Sequence, residues 1–380
     1  MHPTIQSIRN SLCSTFPERK SVIDGTLSAI LASEHVLLLG PPGTAKSALV
    51  RALAKSLGGT YFEHLLTRFS TPEELFGPIS LKGLEQDSFV RLTQGKLPEA
   101  HFAFVDEVFK ANSAILNSLL ALMNERLFHN AGAPTPCPLV TLFGASNELP
   151  EGRELEAMFD RFLLRFEVEY LLRPSNLRSV LTAAEPTPPP GLDLATLKHV
   201  QDQVAAIPVT DDTLDALISI REECKTEGIV ASDRRWKKSL KLVKAQAYLA
   251  GATETSPEDL AFLADSLWRE PKERPKVARL VGRLADPIGS QALEIADSAR
   301  EMAAKVKALQ KDDRKVYVAQ AAQSLEGFRA QQEKLKELSR SAGNRAKQVV
   351  NDALTEVNQL HAELARSINQ SLGLGMRVAQ

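Results

Sequence analysis

The run HVLLLGPPGTAKSALVRALAKSLGG, residues 35–59, constrains this chain more than any other stretch. Five residues, His35 followed by an unbroken apolar series, read as a strand buried on both faces. Gly and Pro then break the pattern, and apolar residues return at helical spacing until Gly58 and Gly59 close the segment. A strand that needs cover on both faces, leading through a tight loop into a helix, belongs to a parallel sheet with helices on both sides.

Further apolar segments repeat the theme. TYFEHLL, HFAFVDEV, PLVTLFGAS and FLLRFEVEYL are read as strands, which carries the α/β pattern to about residue 172. EPTPPPG, residues 185–191, reads as a linker. Beyond it the pattern is wholly helical, with Leu214, Leu217 and Ile218 on one segment and Leu240, Leu242, Val243 and Ala247 on another. From about residue 275 onward, apolar positions such as Met302, Val306 and Leu309, then Leu354, Val357, Leu360, Leu364 and Ile368, recur among Lys, Glu, Gln and Ala. Long amphipathic, coiled-coil-like helices fit that pattern. The organisation expected is 1–184 for an α/β core, 192–274 for an all-α lid and 275–380 for a C-terminal helical region.

Composition removes several alternatives. Lys plus Arg (46) balance Asp plus Glu (47), so no broad basic field exists to gather nucleic acid or anionic lipid. Cys13, Cys137 and Cys224 are too scattered for a metal-ligand pair or a disulfide framework, which fits a reducing compartment. The start lacks a signal-peptide pattern and no run reaches the length of a membrane span, so the expectation is a cytoplasmic protein without membrane insertion. No H-E-x-x-H or G-x-S-x-G motif is present.

GPPGTAKS, Gly40 to Ser47, nearly spells the phosphate-binding pattern G-x-x-x-x-G-K-[ST], with Ala45 in place of the second glycine. In such a loop the backbone N–H groups turn toward phosphate, and the following helix adds its positive end. Gly40, Pro41, Pro42, Gly43, Thr44, Ala45, Lys46, Ser47 and Ala48 therefore form the nucleotide-binding set. Lys46 would reach the β- and γ-phosphates, and the Ser47 hydroxyl would ligate Mg²⁺. Position 45 stands where the helix begins, so a negative φ is expected there and alanine should be harmless.

Asp106 and Glu107 end the apolar strand HFAFVDEV, the arrangement that sets one carboxylate on Mg²⁺ and a second beside an attacking water. Asn147, just past the strand of LFGASNE, falls where ligands gather in parallel sheets and can hold that water. AMFDRFLLRF offers Arg161 and Arg165, either of which could reach another subunit's γ-phosphate. GPISLKGLEQDSFVRLTQG reads as a hairpin turned at KGLEQD.

Taken together, these motifs resemble the AAA+ ATPases, and among them the MoxR family. TRFSTPEELFGPIS, RLTQGKLPEA, FVDEVFKANSAILNSLLALMNER, ASNELPE and SDRRWKKSLKLVKAQAYLAG are similar to signatures of its RavA branch, over about residues 5–285. The alanine before Lys46 looks like that family's own form of the loop.

The resemblance implies Walker A at Lys46 and Ser47, and Walker B at Asp106 and Glu107. It also implies sensor 1 at Asn147, a trans-acting finger at Arg161, and sensor 2 at Arg234, with Arg235 left open as the alternative. It implies a helix-2 insert at about 77–97, with Leu81 to Phe89 as candidates for client or partner contact. The function expected is a Mg-ATP-hydrolysing ring of six subunits, with ATP between core and lid. Such a ring remodels client proteins, or assists metal or cofactor insertion, together with a von Willebrand factor A (vWA) adaptor. The alternative is a nucleotide-switched assembly scaffold with negligible turnover. RavA-type relatives carry a β-rich insertion in their C-terminal helices, and no strand-forming block follows residue 290 here.

Overall fold

The structure, a computed structural model, describes residues 1–182, 191–309 and 314–372. All of the proline-rich stretch except Gly191 lies outside the described residues. Helices α1 (Pro3–Thr15) and α2 (Lys20–Leu31) precede β1 (His35–Leu39), and α3 (Lys46–Ser56) leads to β2 (Tyr61–Leu65). Short helices α4 (Pro72–Phe76) and α5 (Leu81–Leu84) come before β3 (Phe102–Asp106). Next are α6 (Ser113–Glu125), β4 (Leu127–Asn130), β5 (Ala133–Pro136), β6 (Thr141–Ser146), α7 (Arg153–Phe159), β7 (Phe162–Glu167) and α8 (Pro174–Thr182). The rest is helical: α9 (Leu194–Ala206), α10 (Asp211–Thr226), α11 (Asp233–Leu249), a 3-10 segment Pro257–Asp265, α12 (Arg274–Ala285), α13 (Pro287–Leu309), α14 (Arg314–Ser341) and α15 (Asn344–Leu372).

The main sheet is parallel, in the order β2-β3-β6-β1-β7. All five residues of β1 and all six of β6 are buried, because both sheet faces are covered. Leu37, Leu39, Val105 and Leu142 pack on one side with α6 and the lid; Val36, Leu38, Phe104 and Phe143 pack on the other with α1, α2 and α3. Each such side chain adds about 1.5–3 kcal/mol through burial.

The expected insert is present in altered form. Ser80 N–H donates to Val90 O (2.7 Å) and Leu92 N–H to Pro78 O (2.8 Å), so the base is an antiparallel pair, but the tip closes through α5 rather than a tight turn. Gly77 is required here: a Cβ on it would stand 1.9 Å from Leu92 O. The β4–β5 hairpin leans on the insert, with Asn130 bonded to both the N–H and C=O of Arg91.

In the lid, Ile218 is exposed, and α10 buries Thr213, Leu217, Ile220 and Cys224 instead. Helix α12 packs on α10 and the 3-10 segment, so the lid layer continues past residue 274 to Ala285. Helices α13, α14 and α15 form a three-helix bundle around its own core, centred on Tyr317, Phe328, Val350 and Val357. Among the described residues, no helix is long and apolar enough to cross a membrane.

Candidate functional site

Strands β3, β6 and β1 are adjacent in the sheet, and their carboxyl ends carry Asp106, Asn147 and the Gly40–Ser47 loop respectively. Neighbouring strands lie about 4.8 Å apart. Three segments distant in sequence thus converge on one edge. Gly40 N–H donates to Ser146 O at 3.0 Å and Val168 N–H to Leu39 O at 2.7 Å, which fixes the loop's base. A Cβ at Gly40, whose φ is +146°, would stand 2.2 Å from Val168 O, so only glycine fits.

Within the loop, Lys46 is buried and its Nζ donates to Gly40 O and Pro41 O, both at 2.8 Å. Burial lowers its pKa, and the nearby carboxylates of Asp106 and Glu107 oppose that shift. Thr44 is also buried and donates through Oγ1 to Pro41 O (3.0 Å), while Pro42 and Ala48 are exposed and Ser47 is half-buried. Among the described residues, no protein acceptor takes the backbone N–H groups of Gly43, Thr44, Ala45, Lys46, Ser47 or Ala48. Six orphaned donors at the positive end of α3 make a site for an anion, which fits a nucleotide phosphate chain. Asp106 and Ser47 supply hard oxygen ligands of the kind Mg²⁺ takes.

Ala45 departs from expectation. Its φ is +65° and ψ +24°, a left-handed conformation outside the helix, so the negative φ inferred from sequence is wrong. The chain needs that turn to aim its N–H groups inward before α3 can start. Glu107 is likewise left-handed (φ +52°), and its carboxylate lies 3.3 Å from Lys110 Nζ. Asn147 is exposed, just beyond β6.

The lid sits elsewhere. Arg235 on α11 is 3% exposed and donates to Asp160 Oδ1 and to the carbonyls of Asp160, Phe162, Leu163 and Ser266, at 2.8 to 3.2 Å. Lys238 and Lys241 bond the buried Glu34 at 2.6 and 3.0 Å. All these core groups stand at the amino ends of β7 and β1. The lid of this chain therefore docks on the amino edge of the sheet, about 20 Å from the loop at 3.3 Å per strand residue. The expected placement of ATP between core and lid of one chain is corrected accordingly.

The arginines sort by burial. Arg235 is a structural staple, which leaves Arg234, exposed and adjacent, as the available cation. Arg165 is 2% exposed, stacked 3.8 Å over Phe159 and bonded to Trp268 O and Phe159 O, so it cannot reach another subunit. Arg161 is half-buried; it donates to Ala157 O (2.8 Å), and its pKa is lowered by burial and by the nearby Arg234.

Comparison with known proteins bears on the family and the fold. Residues 3–189 match the family described as the MoxR domain in the MoxR-vWA-beta-propeller ternary systems, and residues 212–281 match an AAA lid domain. The uncharacterized protein MJ0812 of Methanocaldococcus jannaschii is 44% identical over 310 residues, which cover 81% of this chain and 83% of that one. The chaperone MoxR1 of Mycobacterium tuberculosis is 30% identical over 173 residues, 44% of this chain and 45% of that protein.

The chain belongs to the MoxR family of AAA+ ATPases.

In fold, it is similar to the crystal structure of a candidate ATPase from Cytophaga hutchinsonii, with a TM-score of 0.59 at 19% identity over 74% of this chain and 93% of that one. The family's parallel-sheet core, lid and additional C-terminal helices are all present.

Two residues that hold the segment after β7 in place escaped the sequence reading. Tyr170 Oη donates to Pro42 O at 3.3 Å. The Glu18 carboxylate accepts the N–H groups of Leu172 (2.8 Å) and Arg173 (3.0 Å) and an Asn176 amide N–H. Those bonds hold its pKa down at about 2. Glu18 thus ties the segment after β7 to the α1–α2 turn. A pairing across 154 residues leaves no local signal.

Proposed function

We propose that this chain hydrolyses Mg-ATP as one subunit of a homo-oligomeric ring, six subunits in number, with each active site completed by a neighbour. One observation carries the reading: Lys46, Asp106, Glu107 and Asn147 share the carboxyl edge of the sheet, while Arg161 and Arg234 stand at the amino edge, too far to serve the same nucleotide. A head-to-tail contact brings one chain's carboxyl edge to the next chain's amino edge, and such contacts close into rings.

Gly43 to Ala48 bind the phosphates through backbone N–H groups, and Lys46 leaves its loop carbonyls for the β- and γ-phosphates. Ser47 and Asp106 would hold Mg²⁺, which would supply positive charge to offset that of the phosphates. Glu107 polarises the attacking water, Asn147 orients it, and Arg161 and Arg234 of the neighbouring copy neutralise charge developing on the γ-phosphate.

The energy is used on a client protein, through chaperone-like remodelling or metal or cofactor insertion, in a reducing cytoplasm. The family description names a vWA protein and a β-propeller beside the MoxR domain, which supports a vWA adaptor as partner. Leu81 (77% exposed) and Phe89 (70%) on the insert, and Phe69 (91%) ahead of it in sequence, offer exposed apolar side chains for that contact. The RavA-like placement rests on the motif resemblance.

Glu107→Gln tests turnover. It should keep ATP binding while phosphate release falls by about 10² or more. Release equal to wild type would favour the nucleotide-switched scaffold.

A further inference from the structure

A cleft of about 640 Å³ opens between the α7–β7 junction and the lid, lined by Arg161, Arg165, Arg235 and Arg269 among others. Its acidic lining is Glu156, Asp160 and Glu270. Asp160 is held by Arg235 and Glu270 by Lys272 at 2.5 Å, which leaves the exposed Glu156 on the rim. Arg165 and Arg235 are spent on carbonyls and Asp160. Arg161, Arg269 and the adjoining Arg234 have no carboxylate within 4.0 Å among the described residues. Arg269 stands near enough to Arg165 and Arg235 to lower both their pKa values, although burial is the larger cause in each.

Buried donors at this cleft are unsatisfied too. Arg161 Nε, the Nε of the nearly sealed Arg165 and Trp268 Nε1 have no acceptor among the described residues. The unpaired buried donors are costly without an acceptor, and the three guanidinium groups with no carboxylate partner set a positive field at this cleft that favours an anion. A single carboxylate could answer one of them; a triphosphate, with several charged oxygens, can answer all three.

We propose that Arg269, on the loop following the 3-10 segment of the lid, is a third trans-acting contact: with Arg161 and Arg234 it grips the triphosphate of an ATP bound at Lys46 of the next copy. This rests on the ring reading above and adds a residue that none of the sequence motifs marked. The lid then has a role in reading the neighbour's nucleotide, because Arg269 lines the cleft and Arg234 stands near its Arg161, on two different lid segments locked to the core by Arg235.

The test is Arg269→Ala, beside Arg161→Ala, each alone and each co-assembled with Lys46→Ala. Arg269 is exposed and, among the described residues, only its backbone N–H is bonded, to Glu273 (2.8 Å), so the variant should keep the wild-type melting temperature. Its phosphate release should fall about tenfold to a hundredfold, its own affinity for a fluorescent ATP analogue should stay within about twofold, and Arg269→Lys should regain part of the loss. Mixed with Lys46→Ala, which has a dead pocket and an intact Arg269, it should regain activity. Turnover within about twofold of wild type while Arg161→Ala is silent would overturn the role of Arg269 and leave the ring reading intact. So would recovery on mixing for Arg161→Ala but not for Arg269→Ala. Mixed rings that form yet recover nothing with either variant would overturn the trans reading itself.

Discussion

At the amino edge of the sheet, Arg235, Glu34 and His35 are each almost wholly buried and each multiply bonded. At the carboxyl edge of the same strands, six consecutive N–H groups have no protein acceptor among the described residues, two non-glycine residues sit at positive φ, and the polar side chains are partly exposed. Both edges are rich in polar groups, yet they do different work. Where donors and acceptors are matched within the chain, the polar groups locate the lid. Where they are unmatched, something outside the chain must supply the partner. The arginines repeat the lesson at single-residue scale, since Arg235 is consumed by the fold and Arg234 is left over.

The adjacent arginines offer the sharpest way to break this contrast. Arg235→Ala strips donors from five acceptors at the core–lid junction, three of them in buried bonds, so it should cost about 3–5 kcal/mol in denaturant unfolding. Arg235→Lys should recover little, because a point charge cannot replace a planar fork. Arg234→Ala, one residue earlier, should change stability by no more than about 0.5 kcal/mol. Similar stability losses from the two would dissolve the distinction between a structural and an available cation.

A smaller effect comes from His35 on the same edge. Its Nδ1 accepts Leu142 N–H at 3.0 Å and its Nε2 donates to Met123 O at 2.9 Å, a neutral ring fully enclosed beside the Arg126 guanidinium. Burial first, then Arg126, hold its pKa well below normal. The unfolded chain then binds a proton that the folded chain does not, so stability falls as pH drops below the unfolded value near 6.5. The slope from this group is about 1.4 kcal/mol per pH unit. Unfolding at pH 7.0 and at pH 5.5 should show that loss, and His35→Asn should flatten it. An unchanged slope in His35→Asn would mean that acid acts on this edge through some other group.

Sequence alone disclosed one edge far better than the other. The strands of the parallel sheet were legible because burial on both faces removes polar interruptions, as in HVLLL and FAFVD. The nucleotide loop was legible because backbone geometry there demands a fixed spacing of glycine, lysine and serine. The β4–β5 hairpin was not: its second strand is APTP, and two prolines argue against any strand except a short one free of ladder demands on the proline side. The position of the lid was hidden as well, because it is fixed by long-range pairs such as Glu34 with Lys238. Ile218 kept helical spacing yet faces solvent, since periodicity gives a face without saying how wide its cover is.

Ala45 gives the smallest effect and the finest test of the carboxyl edge. An L-residue in the left-handed region carries a strain of about 1–2 kcal/mol, which glycine avoids. Glycine also gains freedom in the unfolded chain, worth about 0.4–1 kcal/mol against the variant. Ala45→Gly should therefore raise unfolding stability by up to about 1.6 kcal/mol, and ATP affinity should hold or improve slightly, because the N–H stays in place. Ala45→Val should do the opposite, since a β-branched side chain tolerates positive φ less well than alanine. Calorimetric ATP titrations and denaturant midpoints on the two variants check the pair. If glycine brought no gain and valine no loss, residue 45 would not be held left-handed in solution. The inward array of N–H groups would then form only around bound phosphate, and the carboxyl edge would be shaped by its ligand instead of being ready for it.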